Sequence, residues 1–342
     1  MLPSTGSPNT SQPMTEKTGV PANHQDSLAC GRDPLVHAIT SFLAHAHAPQ
    51  MPEIRASLER AIDEAGRGAI AGLSERLARS GRDWNYYPGD PLARRIHHVL
   101  APRVLRHEPV VTGLDQLGAI DGKPVVLVAN HLSYSDANLV EVLLQKTSRN
   151  LANRLTVVAG PKVYSSVTRR FSSLCFGTIK VPQSAARSSD EAVMTVRDVA
   201  RAARRSIQIA HERLERGDAL LVFPEGNRSR SAQMQPFLPG VARYLEPAQA
   251  WILPIGIEGT HQLFPIDGDA LTPVPLALHI GKPVAAATLR ARARGDRRRI
   301  VDAIGFAVAD LLPREYRGAY DAASPASSAD PAARVLADDL FQ

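Results

Sequence analysis

Short apolar runs recur through the middle of the chain. Val125–Ala129, Leu155–Ala159, 219–223 and 251–257 have strand length and little polar interruption, so they predict buried strands; 177–181 and 276–280 read the same way. The segments between them carry helical spacing. In the clearest, Val193, Val196, Ala200, Ala203, Ile207, Ala210 and Leu214 step by three and four, with Ser188 and Glu191 as a capping box and Gly217 as the stop. A second helix is expected over 162–176. Strands alternating with helices predict an α/β fold, a mostly parallel sheet flanked by helices.

The pattern differs before residue 101. Proline followed by helix-forming residues predicts helices over 34–48 and 52–80, the second weakened by Gly66, Gly68 and Gly72. Leu58, Ile62, Ala65, Ala69 and Leu73 place one apolar face on that helix. A helical hairpin packed on the α/β part and a membrane-facing pair both fit it. A further helix is expected over 92–99. Residues 1–32, with three prolines and many small polar residues before Met14, read as a disordered tail. The organisation expected is a tail over 1–32, a helical N-terminal region over 33–100, the α/β domain over 101–318 and a C-terminal tail over 319–342.

Composition narrows the partners. With 342 residues, 44% of them hydrophobic, the chain can bury a sizeable core. Its formal net charge of +6 suits anionic partners such as phospholipid head groups, phosphorylated substrates or an acidic carrier protein. Aromatic residues make up 5% and no nucleic-acid module is recognisable, so nucleic acid is not an expected partner. The two cysteines, Cys30 and Cys175, make no disulfide framework. Residues 1–25 lack the basic start and apolar block of a secretory signal, which makes a cytoplasmic location the default. No apolar stretch reaches spanning length, although the protein is expected to lie at a membrane surface. Val163, Val167, Phe171 and Leu174 form one stripe of the 162–176 helix with Arg169 and Arg170 beside it, fitting either membrane contact or core packing.

Chemistry collects where two of the strands end. The first delivers Asn130 and His131 to its carboxyl end, the edge at which open α/β sheets place ligands, and Asp136 follows. On one unbroken helix, positions five apart point about 140° apart. His131 and Asp136 therefore meet only if the histidine precedes the helix and the aspartate lies in its first turn, with Ser133 or Ser135 as cap. So placed, the carboxylate holds a neutral imidazole in one tautomer while the other nitrogen takes a proton from a hydroxyl. A capped helix with a surface histidine accounts for the pair equally well. The strand 219–223 ends in Pro224, Glu225, Gly226, Asn227, Arg228, Ser229 and Arg230, a loop able to turn guanidinium and backbone N–H groups towards a phosphate, although by itself it fits a solvated charged turn better.

The segment 130–136 resembles the His-x-x-x-x-Asp signature of the glycerolipid acyltransferase family, and 223–229 resembles that family's second strong block, in the same order. The resemblance covers roughly residues 105–318. It implies His131 as general base, Asp136 as its orienting acid, and Glu225, Gly226, Arg228 and Ser229 around an acceptor phosphate, with Asn227 where the family usually has threonine. A further family segment resembles 177–183 but ends in Gln183 where an arginine is usual, which leaves Lys180 or Arg187 to supply a charge. The proline-bearing 253–257 matches an apolar family strand. The activity implied is acyl transfer from a thioester, acyl-CoA or acyl-carrier protein, to the free hydroxyl of 1-acylglycerol-3-phosphate. Alternatives are glycerol-3-phosphate or another lyso-lipid as acceptor, and a non-catalytic lipid- or phosphate-binding protein. No acyl-enzyme, metal or cofactor is called for, and the implied site is the inner face of the membrane. Backbone N–H groups near the 136 helix or the Gly226 loop are expected at the oxyanion.

No Gly-x-Ser-x-Gly elbow, Walker loop, dinucleotide fingerprint or His-Glu-x-x-His helix is present. His97, His98 and His211 lack partners at metal spacing. The six arginines between Arg290 and Arg299 read as a solvated helix face, or as a docking surface for an acidic carrier or bilayer.

Overall fold

The computed structural model describes residues 31–105, 107–182, 194–263, 271–323 and 329–342. Gln183, Arg187, Ser188, Glu191 and most of the expected N-terminal tail lie outside them. The strands are β1 (Tyr86–Tyr87), β2 (Val110–Thr112), β3 (Val125–Ala129), β4 (Leu155–Ala159), β5 (Gly177–Lys180), β6 (Ala219–Val222), β7 (Trp251–Glu258), β8 (Ala277–Ile280) and β9 (Val284–Ala285). They form one sheet in the order β1-β5-β4-β6-β3-β7-β8-β2, with β9 added to the start of β7. The central β5-β4-β6-β3-β7 pairings are parallel, as is β2 with β8; β1, β8 and β9 join antiparallel to β5, β7 and β7. Strands β3 to β8 coincide with the apolar runs to within a residue at either end. The short strands β1, β2 and β9 had no periodic signal of their own.

The unbroken apolar character of β3 follows from its position. Val125, Leu127 and Ala129 belong to the core on one face of the sheet, and Val126 and Val128 to the core on the other. A centre strand buried on both faces has no solvent side to alternate towards. The first core takes in Leu35, Ile54, Leu58, Ile62 and Leu73 from the N-terminal helices Arg32–His47 and Met51–Arg79, so their apolar face packs on the α/β part. Gly66, at φ 80°, interrupts the second of them in a backbone conformation that L side chains resist. His98 Nε2 lies 2.9 Å from the fully buried Glu141, tying the helix Pro91–Val104 to the helix Asp136–Thr147.

Several elements depart from expectation. The 162–176 helix is two pieces, a 3-10 turn Pro161–Tyr164 and a helix Val167–Ser173, because Ser166 caps a new start by accepting from the Arg169 amide. Its apolar stripe serves packing: Val167 and Leu174 are buried and Phe171 lies against the core. The long helix begins at Val196, with Thr195 as its N-cap, and Gly217 at φ 90° follows its end. The arginines from 290 to 299 are solvated, with Arg292, Arg294 and Arg297 exposed, and four of them are also ion-paired. Arg292, Arg297, Arg298 and Arg299 pair with Asp339, Glu246, Asp302 and Asp330, and the helix Arg297–Asp310 is buried from Ile300 to Ala309. Described residues of the expected C-terminal tail add to the core: Tyr320 is buried with its hydroxyl on Asp302, and the helix Pro331–Phe341 buries Ala333, Leu336, Ala337 and Phe341. No helix of the described residues is long and apolar enough to cross a membrane.

Candidate active site

β3 ends at Ala129, and Asn130 then exchanges two hydrogen bonds with the backbone of Ile257 on β7. That pair extends the ladder beyond the strand with a side chain and sets where His131 emerges. His131 precedes the helix Asp136–Thr147 and Asp136 opens it, the placement their spacing requires. Nδ1 of His131 lies 2.8 Å from Oδ2 of Asp136. The same oxygen accepts from the amides of Leu132 at 2.7 Å and Ser133 at 2.9 Å, and Oδ1 accepts from the Thr260 hydroxyl at 2.5 Å. With four donors and no solvent exposure, Asp136 is held as an acceptor on every side. The helix has no side-chain cap bond at its start: Ser135 makes none and donates to the Ser133 hydroxyl.

The other ring nitrogen of His131, Nε2, has no hydrogen bond among the described residues, and the residue lines a cleft of about 1510 Å³. Phe223 stacks on the imidazole at 4.3 Å between ring centres, fixing its plane.

The second motif supports the first. Glu225 Oε1 accepts from the His131 amide at 2.7 Å and Oε2 from the Gln235 amide at 2.8 Å. The Ser229 amide donates to the His131 carbonyl, and its hydroxyl donates to Gln233. The Glu225 side chain and the Ser229 amide join the two loops, the Ser229 hydroxyl braces its own loop, and both side chains are buried. Gly226, at φ 73°, makes the sharp turn and stands exposed. Its amide bonds the Phe223 carbonyl, and those of Leu132 and Ser133 serve Asp136, so these three expected oxyanion donors are already engaged.

Arg228 and Arg230 of the loop both line the cleft, Arg230 exposed and Arg228 half-buried. The Arg228 side chain packs on an aromatic ring. Its guanidinium lies 3.7 Å over the Tyr134 ring, and that of Arg169 lies 4.4 Å from the same ring. Neither arginine has a carboxylate partner among the described residues. Burial first, and the neighbouring Arg169 charge as well, pull Arg228 below its ordinary pKa. Lys180 is placed elsewhere: it lies on β5 with Nζ donating to the Gly81 carbonyl at 2.8 Å and sitting 4.4 Å over Trp84, and it does not line the cleft. Thr260 and Arg169 carried no motif signal, and Phe223 and Tyr134 lie inside the two motifs without a role having been expected of them. Thr260 in particular is brought in from just beyond β7.

Burial pushes the Glu225 carboxyl up to about 8, with the Asp136 charge adding to the rise and the two amide donors opposing it. A carboxyl raised above its unfolded value keeps its proton in the fold where the unfolded chain has lost it. Its contribution to stability is thus lost as pH rises between the two values, about 4.5 and about 8. His97, lowered by burial, acts with the opposite sign, chiefly below pH ~6.5. We therefore expect Tm to fall more steeply above that pH in the native chain than in Glu225→Gln. Parallel melting curves for the two would refute the assignment.

Residues 108–258 match the Acyltransferase family model. No curated protein sequence matches the chain. Among solved structures, the chain is similar to that of the 1-acyl-sn-glycerophosphate (LPA) acyltransferase PlsC from Thermotoga maritima, at 18% identity and a TM-score of 0.46, over 82% of this chain and 98% of that one. The residues matched by the Acyltransferase model contain both motifs, His131 to Asp136 and Phe223 to Ser229.

Proposed function

We propose that the protein transfers a fatty acyl group from a thioester to the free hydroxyl of a phosphorylated glycerol lipid, with 1-acylglycerol-3-phosphate as the leading acceptor. The observation that carries this reading is the juxtaposition, in one cleft, of a His131 whose Nδ1 is held by a buried carboxylate and an uncompensated arginine pair. Nε2 takes the proton of the acceptor hydroxyl as its oxygen attacks the thioester carbonyl. The tetrahedral intermediate then expels the thiolate, which recovers the proton from the imidazolium. Asp136 keeps Nδ1 protonated and opposes the imidazolium charge. Arg228 and Arg169, two like charges held on one tyrosine, favour a dianionic group between them, as a phosphate monoester supplies. At about 1510 Å³ the cleft exceeds the roughly 300–1,000 Å³ of ordinary small-molecule sites. Its remaining walls include Val158, Val163, Phe176, Ile207, Leu238 and Val241, a surface suited to an acyl chain.

The test is to supply acyl-CoA and acyl-carrier protein against 1-acylglycerol-3-phosphate, glycerol-3-phosphate and lysophospholipids without a terminal phosphate, and to follow acylated product. Preference for an acceptor without the phosphate would reject the leading assignment, and absence of transfer to any acceptor would favour a binding protein. In the leading reading, Arg228→Ala removes charge-assisted bonds that net about 1.5 to 3 kcal/mol each, and raises acceptor KM about ten- to a hundredfold. Donor KM stays near its native value. Arg228→Lys recovers part of the loss, since a point charge does not reproduce the guanidinium fork. An unchanged acceptor KM in Arg228→Ala would remove the phosphate from the reading.

A further inference from the structure

At the amino ends of β4 and β5, the edge of the sheet away from His131, lies a second cavity of about 220 Å³. Three half-buried arginines line it: Arg94 from the helix Pro91–Val104, Arg154 from the turn before β4, and Arg213 from the helix Val196–Glu215. Two carboxylates also line it, and each already has an arginine. Asp218 takes both Nε and Nη2 of Arg213, at 2.7 and 2.8 Å, and Asp90 takes Arg76 from outside the cavity, at 2.6 Å. Arg94 and Arg154 are left with no carboxylate among the described residues. They donate to backbone: Arg94 Nε to the Cys175 carbonyl, and Arg154 Nη1 to the carbonyls of Lys123 and Gly217. The buried Arg154 Nε has no hydrogen-bond partner.

Three lining arginines against two lining carboxylates leave the cavity a net positive charge, and half-burying guanidinium groups without a direct carboxylate partner costs free energy that a bound anion would offset. Burial lowers the pKa of Arg154, the same penalty seen from the titration side. The floor is kept open at Gly177, where a Cβ would come within 2.7 Å of Thr156 Oγ1 and 2.8 Å of Tyr86 Oη. The volume is several times the ~30 Å³ share of one water and below the range of drug-sized pockets, so the ligand is small.

We propose that this cavity binds a small phosphate dianion, inorganic phosphate or a compact phosphomonoester, on Arg94 and Arg154. The site is separate from the catalytic cleft, since no residue lines both. Arg213, already neutralised by Asp218, contributes shape and its place over the Tyr86 ring, 4.2 Å away.

The test is calorimetric titration of the full-length protein with inorganic phosphate, with chloride at equal ionic strength as the blank, on the native chain, Arg228→Ala and Arg94→Gln. Saturable binding that persists in Arg228→Ala and weakens at least about tenfold in Arg94→Gln supports the site, the loss of one charge-assisted contact being the expected effect. Binding should also raise Tm in the native chain and in Arg228→Ala. If Arg94→Gln does not fold, Arg94→Lys serves in its place, retaining the charge and losing the fork, with weaker but measurable binding expected. Absence of saturable binding overturns the proposal. So does binding abolished by Arg228→Ala and untouched by both Arg94 variants, which would place the phosphate in the cleft. Glycerol-3-phosphate titrated into Arg228→Ala then separates the two sources: tighter binding than inorganic phosphate identifies an ester as the ligand, and weaker binding identifies the free ion. None of these outcomes depends on acyl transfer, so the site stands or falls apart from the proposed activity.

Discussion

His131→Ala is expected to lower acyl transfer by about two to four orders of magnitude while the protein stays folded. The imidazole is the group placed to take a hydroxyl proton, and loss of general-base help has that size. The fold should tolerate the change. Asp136 keeps three of its four donors, the amides of Leu132 and Ser133 and the Thr260 hydroxyl, and the side chain removed is partly solvent-exposed. The Phe223 ring loses its stacking partner, a contact worth about 0.5 to 1.5 kcal/mol for an aromatic pair. Steady-state transfer and a thermal melt, measured on the same preparation, check both halves. Turnover within a few-fold of native at unchanged Tm would reject His131 as the base.

Asp136→Asn should be nearly as damaging to transfer and, unlike His131→Ala, should also lower stability. An amide presents one acceptor where the carboxylate presents two. With its oxygen in the Oδ2 position, asparagine still accepts from His131 and both amides, but its NH2 meets the Thr260 hydroxyl, which must turn to accept and so loses its own acceptor. The charge opposing the imidazolium is gone in either case. With the amide flipped, its NH2 faces Nδ1 and selects the tautomer with Nε2 protonated, and the Leu132 and Ser133 amides lose their partner. A rate loss of about 10² to 10⁴ follows from the lost charge or the wrong tautomer. Asp136→Ala goes further, leaving several buried donors without an acceptor at about 1 to 3 kcal/mol each, a large share of the ~5–15 kcal/mol that holds a domain folded. The order expected in Tm is native, His131→Ala, Asp136→Asn, Asp136→Ala. An Asp136→Asn protein with native rate and native Tm would show the carboxylate to be incidental.

Much of the fold was legible because its signals are local. Apolar runs of strand length identify β3 to β8, since a strand covered on both faces must be apolar throughout, and helical spacing identifies the segments between them. The His131 and Asp136 pair was equally legible. Five residues of chain, a strand end and a helix start restrict the geometry enough for meeting or not meeting to be the sole alternatives. The sheet edges were not legible: β1, β2 and β9 are two or three residues long, too short for a period, and exist by pairing with strands far along the chain.

The amino-acid sequence by itself determined an α/β protein with catalytic-type residues at two strand ends and a basic loop beside them. Tertiary structure alone decided which charges face the cleft. Lys180 ends a strand whose neighbours lead it to Gly81 and Trp84, whereas Arg169, in a helix read as a packing or membrane stripe, meets Arg228 across Tyr134. Tertiary structure also supplied Thr260 to Asp136 across 124 positions of sequence, turned Glu225 inward to hold the two loops, and folded Tyr320 and the helix Pro331–Phe341 against the core. A side chain's residue type states what bonds it can make, but its partners are set by strand order and helix packing, and in this protein those are contacts between segments distant in the chain.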